Sequence, residues 1–273
     1  MPLIPSPFPA APLVVALTPR ERARELLKRA FPRRRGRLVL TRTVAEFAGQ
    51  FRRGLVDAAI VDVAAPTEET WRAAKLARDY PSLPFFALAP MRVADGASLA
   101  RCAEADFTDV LAEGMDDAAL RELVEPYCFS VRFGAALHDA HHALGLETSI
   151  QERAWRAVVA QGGRTVRTAA IARQLHVTRE HLSRSFAAAG SPNLKRIIDL
   201  VRLIAAAELA KNPGYDVSDV AQVLDFASPS HLTSTAQRIL GTKSASLARL
   251  RTGDLIERFR QGGSRSRKKR GEG

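Results

Sequence analysis

One short pattern of residues occurs twice in the C-terminal half of the chain, and it constrains the fold more than any other feature. The first copy occupies residues 171–177 (IARQLHV) and the second, 49 positions later, residues 220–226 (VAQVLDF). Each copy has a small alanine flanked by apolar residues at −1, +3 and +5, and a second amphipathic segment follows. This spacing predicts two helix-turn-helix units, in which the alanine lets the paired helices approach closely.

The turn position of the pattern holds His176 in the first copy and Asp225 in the second. A turn of this kind often needs a left-handed backbone, which His and Asp tolerate better than most non-glycine residues. The first unit is expected to pair helices at 168–175 and 178–188. The second is expected to pair helices from about 216 to 224 and from 228 to 240, with Gly241 ending the last one. A long helix from Ser191-Pro192 to about Ala210 would join the units.

The second helix of each unit supplies the candidates for contact with base edges in a DNA major groove. In the first unit Leu182 and Phe186 should face inward, which leaves Arg179, Glu180, Ser183 and Arg184 outside. In the second unit Leu232 should face inward, which leaves Ser230, His231, Thr233 and Ser234 outside. Arg184 could bind a guanine through two hydrogen bonds, or instead contact a phosphate or form a surface ion pair. The candidates for phosphate contact are Lys195, Arg196 and Arg238.

The charge of the chain is unevenly distributed. Residues 1–149 carry 19 Lys and Arg against 19 Asp and Glu, whereas residues 150–273 carry 22 against 10. The whole net charge of +12 therefore belongs to the half with the repeated pattern. Such a field favours a polyanionic partner, and here it coincides with two predicted DNA-binding motifs.

The N-terminal half alternates apolar runs with helical patterns. We expect strands at 13–17, 37–41, 58–63, 84–89 and 108–112, with helices at 20–30, 44–54, 68–79, 96–105 and 116–127. The third and fourth strands are continuous apolar runs, as expected for a parallel sheet that is covered on both faces. The predicted domain at 11–128 is therefore a flavodoxin-like, five-stranded parallel α/β domain.

The third strand and its following loop (VDAAIVDVAAP, residues 56–66) resemble those of response-regulator receiver domains. The resemblance implies that Asp62 stands at the phospho-accepting position. The first strand, however, is followed by Leu17-Thr18-Pro19-Arg20 instead of an acidic pair that holds Mg²⁺. Ala89 replaces a Thr or Ser, and Ala112-Glu113 replaces a Lys. Without a metal or cation an aspartyl phosphate lacks charge compensation, so we expect a receiver-like domain that is not phosphorylated and serves interaction or dimerisation.

Residues 150–250 resemble the DNA-binding domain of AraC/XylS-type transcription regulators. The resemblance rests on I-A-x-x-L (171–175), L-S-R-S-F (182–186), R-L-x-x-A (202–206) and V-A-x-x-L-x-F (220–226), followed by Ser230-His231-Leu232 and Gly241. It implies an all-α domain with two helix-turn-helix units joined by one long helix and bound to successive major grooves. Asp225 departs from the usual Gly, Leu232 and Ala236 from aromatic core residues, and Ser244 from a late Pro. These departures weaken the second unit.

The remaining segments are predicted to be a linker at 129–149 and a basic disordered tail at 251–273. His138, His141 and His142 share one helical face in the linker, which is read as a solvated face and not as a metal site. Two cysteines, no secretory signal and no long apolar run predict a cytoplasmic protein without a membrane span. No motif indicates a catalytic residue or a cofactor.

The sequence thus predicts a sequence-specific DNA-binding transcription regulator. Its partners would be double-stranded DNA, a second copy of the chain through the N-terminal domain, and RNA polymerase or a signalling protein. The alternative is a two-component response regulator phosphorylated on Asp62. An enzyme on the α/β half is disfavoured because that half has no glycine-rich phosphate loop, nucleophile elbow or metal cluster.

Overall fold

The computed structural model describes residues 11–188 and 191–268, which divide into two compact units. The α/β unit consists of Ala11–Arg132 together with Asn212–Asp216. The helical unit consists of Phe133–Lys211 and the chain from Val217 onward. The predicted fold classes of the two halves are confirmed: a five-stranded parallel sheet with helices comes first, and an all-helical region follows.

The sheet of the α/β unit has the strand order β2-β1-β3-β4-β5, and all neighbouring strands are parallel. Its strands are β1 (Leu13–Leu17), β2 (Arg37–Thr41), β3 (Ala58–Asp62), β4 (Phe85–Ala89) and β5 (Asp109–Ala112). β1, β3 and β4 are buried along their whole length, which explains their continuous apolar sequences. The strand order reverses between β1 and β3, so the loops at the carboxyl ends of these two strands border a crevice.

Five α-helices connect and cover the strands. They are α1 (Glu21–Ala30), α2 (Val44–Arg53), α3 (Glu68–Asp79), α4 (Gly96–Glu104) and α5 (Asp117–Val124), and each lies within two residues of its predicted start. The helix starts follow from local chemistry, since the side chains of Thr43, Thr67 and Asp116 accept hydrogen bonds from backbone amides in the first turn.

The buried carboxylate of Asp57 joins two distant segments of the α/β unit. One of its oxygens accepts a hydrogen bond from the amide of Leu13 (2.7 Å) and the other from the amide of Ser130 (2.9 Å). The side chain therefore ties the start of β1 to the segment that follows α5. This role is structural, because a buried carboxylate needs such donors to offset its loss of hydration.

The α/β unit also includes the distant segment Asn212–Asp216. The ring of Tyr215 lies 4.8 Å from that of Tyr80, and its hydroxyl donates to the carbonyl of Phe51 at 2.9 Å. The side chain of Asn212 bonds both the amide and the hydroxyl of Ser82 (2.9 and 2.7 Å). These contacts explain why the segment belongs to the α/β unit although its neighbours in the sequence do not.

The helical unit contains nine further helices in the described part of the chain, the first of which starts within the α/β unit. They are α6 (Phe129–Ala136), α7 (Ala140–Ala143), α8 (Ser149–Val159), α9 (Thr168–Gln174), α10 (Arg179–Ala188), α11 (Leu194–Leu209), α12 (Val217–Val223), α13 (Pro229–Leu240) and α14 (Thr252–Lys268). α11 is the centre of this unit, because most of its residues are buried. Trp155 is buried as predicted, and its indole N–H donates to the carbonyl of Leu137 at 3.0 Å.

Three local predictions need correction. The predicted disordered tail is wrong for Thr252–Lys268, which forms α14, while residues 269–273 of that tail lie outside the described residues. The helix is stabilised because Leu255 and Phe259 are buried. The charge-rich composition of the segment gave no indication of this apolar contribution. The cap of α11 is Asn193, whose side chain accepts from the amide of Arg196 at 3.0 Å, and not Ser191. The linker histidines do not share one solvated face, since His141 is buried.

Candidate nucleic-acid interface

The two helix-turn-helix units have the same backbone geometry. His176 and Asp225 both adopt the predicted left-handed conformation, with φ of 56° and 54°. In the first unit the amide of Val177 donates to the carbonyl of Ala172 at 3.0 Å, and in the second the amide of Phe226 donates to the carbonyl of Ala221 at 2.8 Å. These pairs are again 49 residues apart, so the repeat in sequence is a repeat in structure.

Helix α10 presents a polar face to solvent. Leu182 and Phe186 are buried, as predicted, and they hold the helix against α8 and α9. The four candidate residues for base contact, which are all exposed, are Arg179, Glu180, Ser183 and Arg184. The helix start is capped by Thr178, whose hydroxyl accepts from the amide of His181 at 3.1 Å. The exposed face therefore belongs to a helix that is fixed at its start by the Thr178 cap and on its inner face by Leu182 and Phe186.

Helix α13 begins at Ser228-Pro229 as predicted, with the Ser228 hydroxyl accepting from the amide of His231, and ends at left-handed Gly241. Leu232 is buried, while Ser230, His231 and Ser234 are exposed and Thr233 is partly exposed. Some of these side chains have intramolecular partners. The His231 ring packs edge-on to Phe226, and the Thr233 hydroxyl lies 2.7 Å from that of Ser244. The second helix thus offers fewer unengaged donors than the first.

The three predicted phosphate contacts lie in different surroundings. Lys195 is exposed at the start of α11. Arg196, next to it, is half-buried, and its guanidinium lies over the ring of Phe259 in α14 at 5.1 Å. Arg238 forms an ion pair with Asp199 at 2.9 Å. Burial, and then the positive charge of Arg238, lower the pKa of Arg196 below its usual value.

Arg202 supports the turn of the second unit, a role that sequence reasoning did not assign. Its guanidinium lies over the ring of Phe226 at 3.9 Å and donates to the carbonyls of Leu224 (2.8 Å) and Asp225 (3.0 Å). Burial lowers the pKa of Arg202, and the charges of Asp199 and Asp225 offset that effect in part. The available signal was an arginine in the middle of the otherwise apolar stripe of α11, which is unusual unless the charge has a buried partner.

A charged cluster lies at the crevice between the carboxyl ends of β1 and β3. Asp62, at the end of β3, is only 2% exposed in its side chain. It accepts hydrogen bonds from the Thr18 hydroxyl (3.0 Å) and from Arg20 Nε and Nη2 (2.8 and 2.6 Å). Arg20 Nη2 also donates to the buried carboxylate of Glu113, which follows β5. Both oxygens of Asp62 are therefore engaged by a side chain from the first loop.

The cluster raises the pKa of Arg20. Burial on its own lowers the pKa of Arg20, but hydrogen bonds to Asp62 and Glu113 and their negative charges outweigh it and raise the pKa above its usual value. The two carboxylates and one guanidinium leave one negative charge largely removed from water. Ala89 ends β4 beside the cluster without a hydroxyl. Arg20, Asp62 and Glu113, which follow three different strands, are thus joined in one arrangement.

The described residues contain no group of three or more His, Cys, Asp and Glu side chains that could hold a metal ion. In the linker, His141 Nδ1 lies 3.0 Å from the carbonyl of His138, while His138 and His142 are exposed. None of the helices over 11–188 and 191–268 is both long enough and apolar enough to cross a membrane.

Residues 171–249 match the family model described as a helix-turn-helix domain. A comparison with curated protein sequences found no match. Among solved structures, a response regulator from Thermotoga maritima is 18% identical, with 43% of this chain and 98% of that chain covered at a TM-score of 0.38.

Two further solved structures match over a similar share of the chain. A chemotaxis protein from Vibrio cholerae is 15% identical, with 43% of this chain and 99% of that chain covered at a TM-score of 0.37. The receiver domain of a sensor histidine kinase from Pseudomonas aeruginosa is 16% identical, with coverage of 43% and 98% and a TM-score of 0.38. The segment that matches the helix-turn-helix family model, residues 171–249, follows an α/β unit with a five-stranded parallel sheet in this chain.

Proposed function

We propose that the protein is a sequence-specific transcription regulator that binds two successive major grooves of DNA and is controlled through its α/β unit without phosphorylation. The observation that carries this proposal is the pair of helix-turn-helix units with matching turns, at Val177 and at Phe226. The net charge of +12 in the same half of the chain supports a polyanionic partner. A DNA partner also favours the cytoplasm of a bacterial cell as the place of action.

The first unit is proposed to read sequence more strongly than the second. Arg179 and Arg184 on α10 are exposed and long enough to reach base edges, and a guanidinium can bind guanine through two hydrogen bonds. On α13 the candidates are Ser230, His231, Thr233 and Ser234, of which His231 and Thr233 already have intramolecular partners. Hydroxyl and imidazole contacts discriminate less, so the half-site of α13 should be the more tolerant one.

The α/β unit is proposed to act without Mg²⁺ or an aspartyl phosphate. A receiver holds Mg²⁺ with carboxylates next to its phospho-acceptor, whereas this chain places the guanidinium of Arg20 there and gives both Asp62 oxygens to it. Glu113 occupies the place of the Lys that would neutralise a phosphoryl group. A phosphoryl group on Asp62 would have to break the bonds to Arg20 and lie close to the Glu113 carboxylate. The residues therefore do not fit the metal, and control is proposed to come from a protein partner or a second copy of the chain.

The competing function is a two-component response regulator that is phosphorylated on Asp62. Incubating the whole protein with Mg²⁺ and a small acyl-phosphate donor, followed by intact-mass analysis, distinguishes the two. We expect no gain of a phosphoryl group, and Asp62→Asn should leave DNA affinity unchanged. A stable, Mg²⁺-dependent adduct that disappears in Asp62→Asn would support the competing function.

The DNA-binding function is tested by selecting genomic fragments with purified protein at two salt concentrations. A shared site about two helical turns long, retained at the higher salt, is the expected result. If all fragments bind alike and are released together as the salt concentration rises, the helical unit is a general DNA-binding module and the proposal is wrong.

A further inference from the structure

Helix α14 lies outside the segment that matches the helix-turn-helix family model, yet it is part of the helical unit. The match ends at residue 249, and α14 begins at Thr252. Leu255, Ile256 and Phe259 are buried, and the helix packs against both α11 and α13, the second recognition helix. The core of the unit therefore fixes where α14 runs.

The outer side of α14 and the chain around it are strongly basic. Residues 249–273 contain nine Lys and Arg against three Asp and Glu. Arg258 and Arg260 are exposed, and Arg260 Nη1 lies 3.4 Å from the carboxylate of Glu257, which is itself exposed. A single exposed ion pair of this kind offsets little of the positive field.

The buried side of α14 contacts Arg196, one of the residues predicted to bind a DNA phosphate. Phe259 lies under the guanidinium of Arg196, whose buried Nε has no hydrogen-bond partner in the described part of the chain. Arg238, an exposed cation nearby, is paired with Asp199, so the positive charge of Arg196 is not neutralised by that carboxylate. The pKa of Arg196 is lowered by burial and by Arg238, which means that an added anion would stabilise the charged form.

We propose that α14 is a third DNA-binding element, which positions Arg196 through Phe259 and binds backbone phosphates beside the site of the second helix-turn-helix unit. The proposal rests on the DNA-binding function above. It adds sequence-independent affinity next to the recognition helix that has fewer unengaged donors. Phosphate contacts position a domain on DNA, whereas base contacts specify its site. Phosphate binding by α14 would therefore supply affinity that the weak base contacts of α13 do not.

The same basic charge could attract an anionic membrane, but the packing of α14 favours DNA. A helix that binds a membrane surface buries an apolar face in the lipid. The apolar side chains of α14 in the described region, Leu255, Ile256 and Phe259, are already buried inside the protein. Two arginines, Arg258 and Arg260, are exposed on the helix, and a guanidinium suits phosphate oxygens along a duplex.

The test measures how DNA affinity depends on salt, using the full-length protein and the site recovered by selection. One variant changes five basic residues to Gln: Arg265, Arg267, Lys268, Lys269 and Arg270. A second variant changes Arg258 and Arg260 to Gln. The matched control changes three exposed arginines of the α/β unit to Gln: Arg33, Arg34 and Arg35.

We expect the slope of log affinity against log salt to become less negative by about 2–4 in the five-residue variant and by about 1–2 in the two-residue variant. The control should keep the wild-type slope, and all proteins should select the same DNA sequence. Phe259→Leu keeps an apolar side chain but removes the aromatic face, and should weaken binding to every sequence by roughly two- to tenfold. Circular dichroism confirms that each variant is folded.

Unchanged slopes in both the five-residue and the two-residue variant, with specific binding intact, would overturn the inference and leave the proposed function standing. A changed sequence preference would also overturn it, because phosphate contacts carry no sequence information. Binding of the wild type to anionic phospholipid vesicles but to no DNA would assign the basic helix to a membrane. If the wild type selects no shared site, the proposed function itself fails, which is a different outcome.

Discussion

Replacing Arg202 by Met tests whether this buried arginine holds the turn of the second helix-turn-helix unit. Met has a similar length and is apolar, so the change keeps most of the packing along α11. It removes the two hydrogen bonds to the carbonyls of Leu224 and Asp225 and the stacking on Phe226. The carbonyls would then lose their donor in a part of the core where water has little access.

The expected cost follows from these contacts. Each hydrogen bond from a charged donor contributes about 1.5–3 kcal/mol, and a desolvated cation–π contact about 2 kcal/mol. Removing the buried charge returns several kcal/mol of desolvation cost, which offsets part of that loss. We therefore expect Arg202→Met to lower the free energy of unfolding of the helical unit by about 3 kcal/mol. Arg202→Lys should lie between Met and wild type, because an ammonium cannot reproduce the planar stacking.

The assay is urea denaturation followed by tryptophan fluorescence in a Trp71→Phe background. Trp71 belongs to the α/β unit and Trp155 is fully buried in the helical unit. The fluorescence of Trp155, which remains in this background, therefore reports the unfolding of the helical unit alone. Arg156→Met is the matched control, since Arg156 is exposed on α8 and pairs only with Glu152 among its described contacts. Its expected cost is below about 0.5 kcal/mol.

A loss of less than about 1 kcal/mol in Arg202→Met, close to that of the control, would refute the reasoning that the guanidinium holds the turn. A large loss of stability together with unchanged DNA affinity at low urea would separate the two roles. In that case the turn would depend on Arg202 for stability and not for the placement of α13.

Three further predictions concern other sites. Asp57→Ala should destabilise the α/β unit by about 2–4 kcal/mol in chemical denaturation, because two buried amides lose a charged acceptor, and a loss below about 1 kcal/mol would contradict this. Gly163→Ala should lower the melting temperature of the helical unit sharply, because φ is +86° and the new Cβ would lie 2.1 Å from that of Ala205. Adding Ala205→Gly to this variant should restore the melting temperature only in part. Full restoration would show that the backbone at residue 163 is unstrained. Arg184→Ala should cost about 1–3 kcal/mol of discrimination at one base pair, measured by binding to single-substitution operators, whereas a uniform loss would assign Arg184 to a phosphate.

The helix-turn-helix units were predictable because their determinants are local. Each copy of the pattern holds its determinants within seven residues: the alanine at the close approach, the apolar residues at fixed offsets and the left-handed position, which is His176 in the first copy and Asp225 in the second. Backbone conformation follows from such neighbours through sterics, so the observed φ values match the expectation. The strands β3 and β4 were predictable for a similar reason, since continuous apolar runs have few alternatives in an α/β domain.

The charged cluster could be predicted only in part. The absence of an acidic pair after the first strand and of a Lys after the fifth is visible in the sequence. That Arg20 would reach both Asp62 and Glu113 could not be predicted, because these residues are separated by 42 and 93 positions and meet only through the parallel register of β1, β3 and β5. Long-range side-chain pairs depend on the packed sheet, not on local propensity.

Local sequence alone determined the element types up to residue 250, the two turns and the placement of the positive charge in the C-terminal half. Tertiary structure alone decided the partners of Arg20, Arg202 and Arg196, and whether the basic C-terminal segment forms a helix. The physical reason is that a charged side chain tolerates burial only when another part of the chain offers it a carboxylate, a carbonyl or an aromatic face. Phe259 provides such a face for Arg196, and it does so only because α14 is packed against α11.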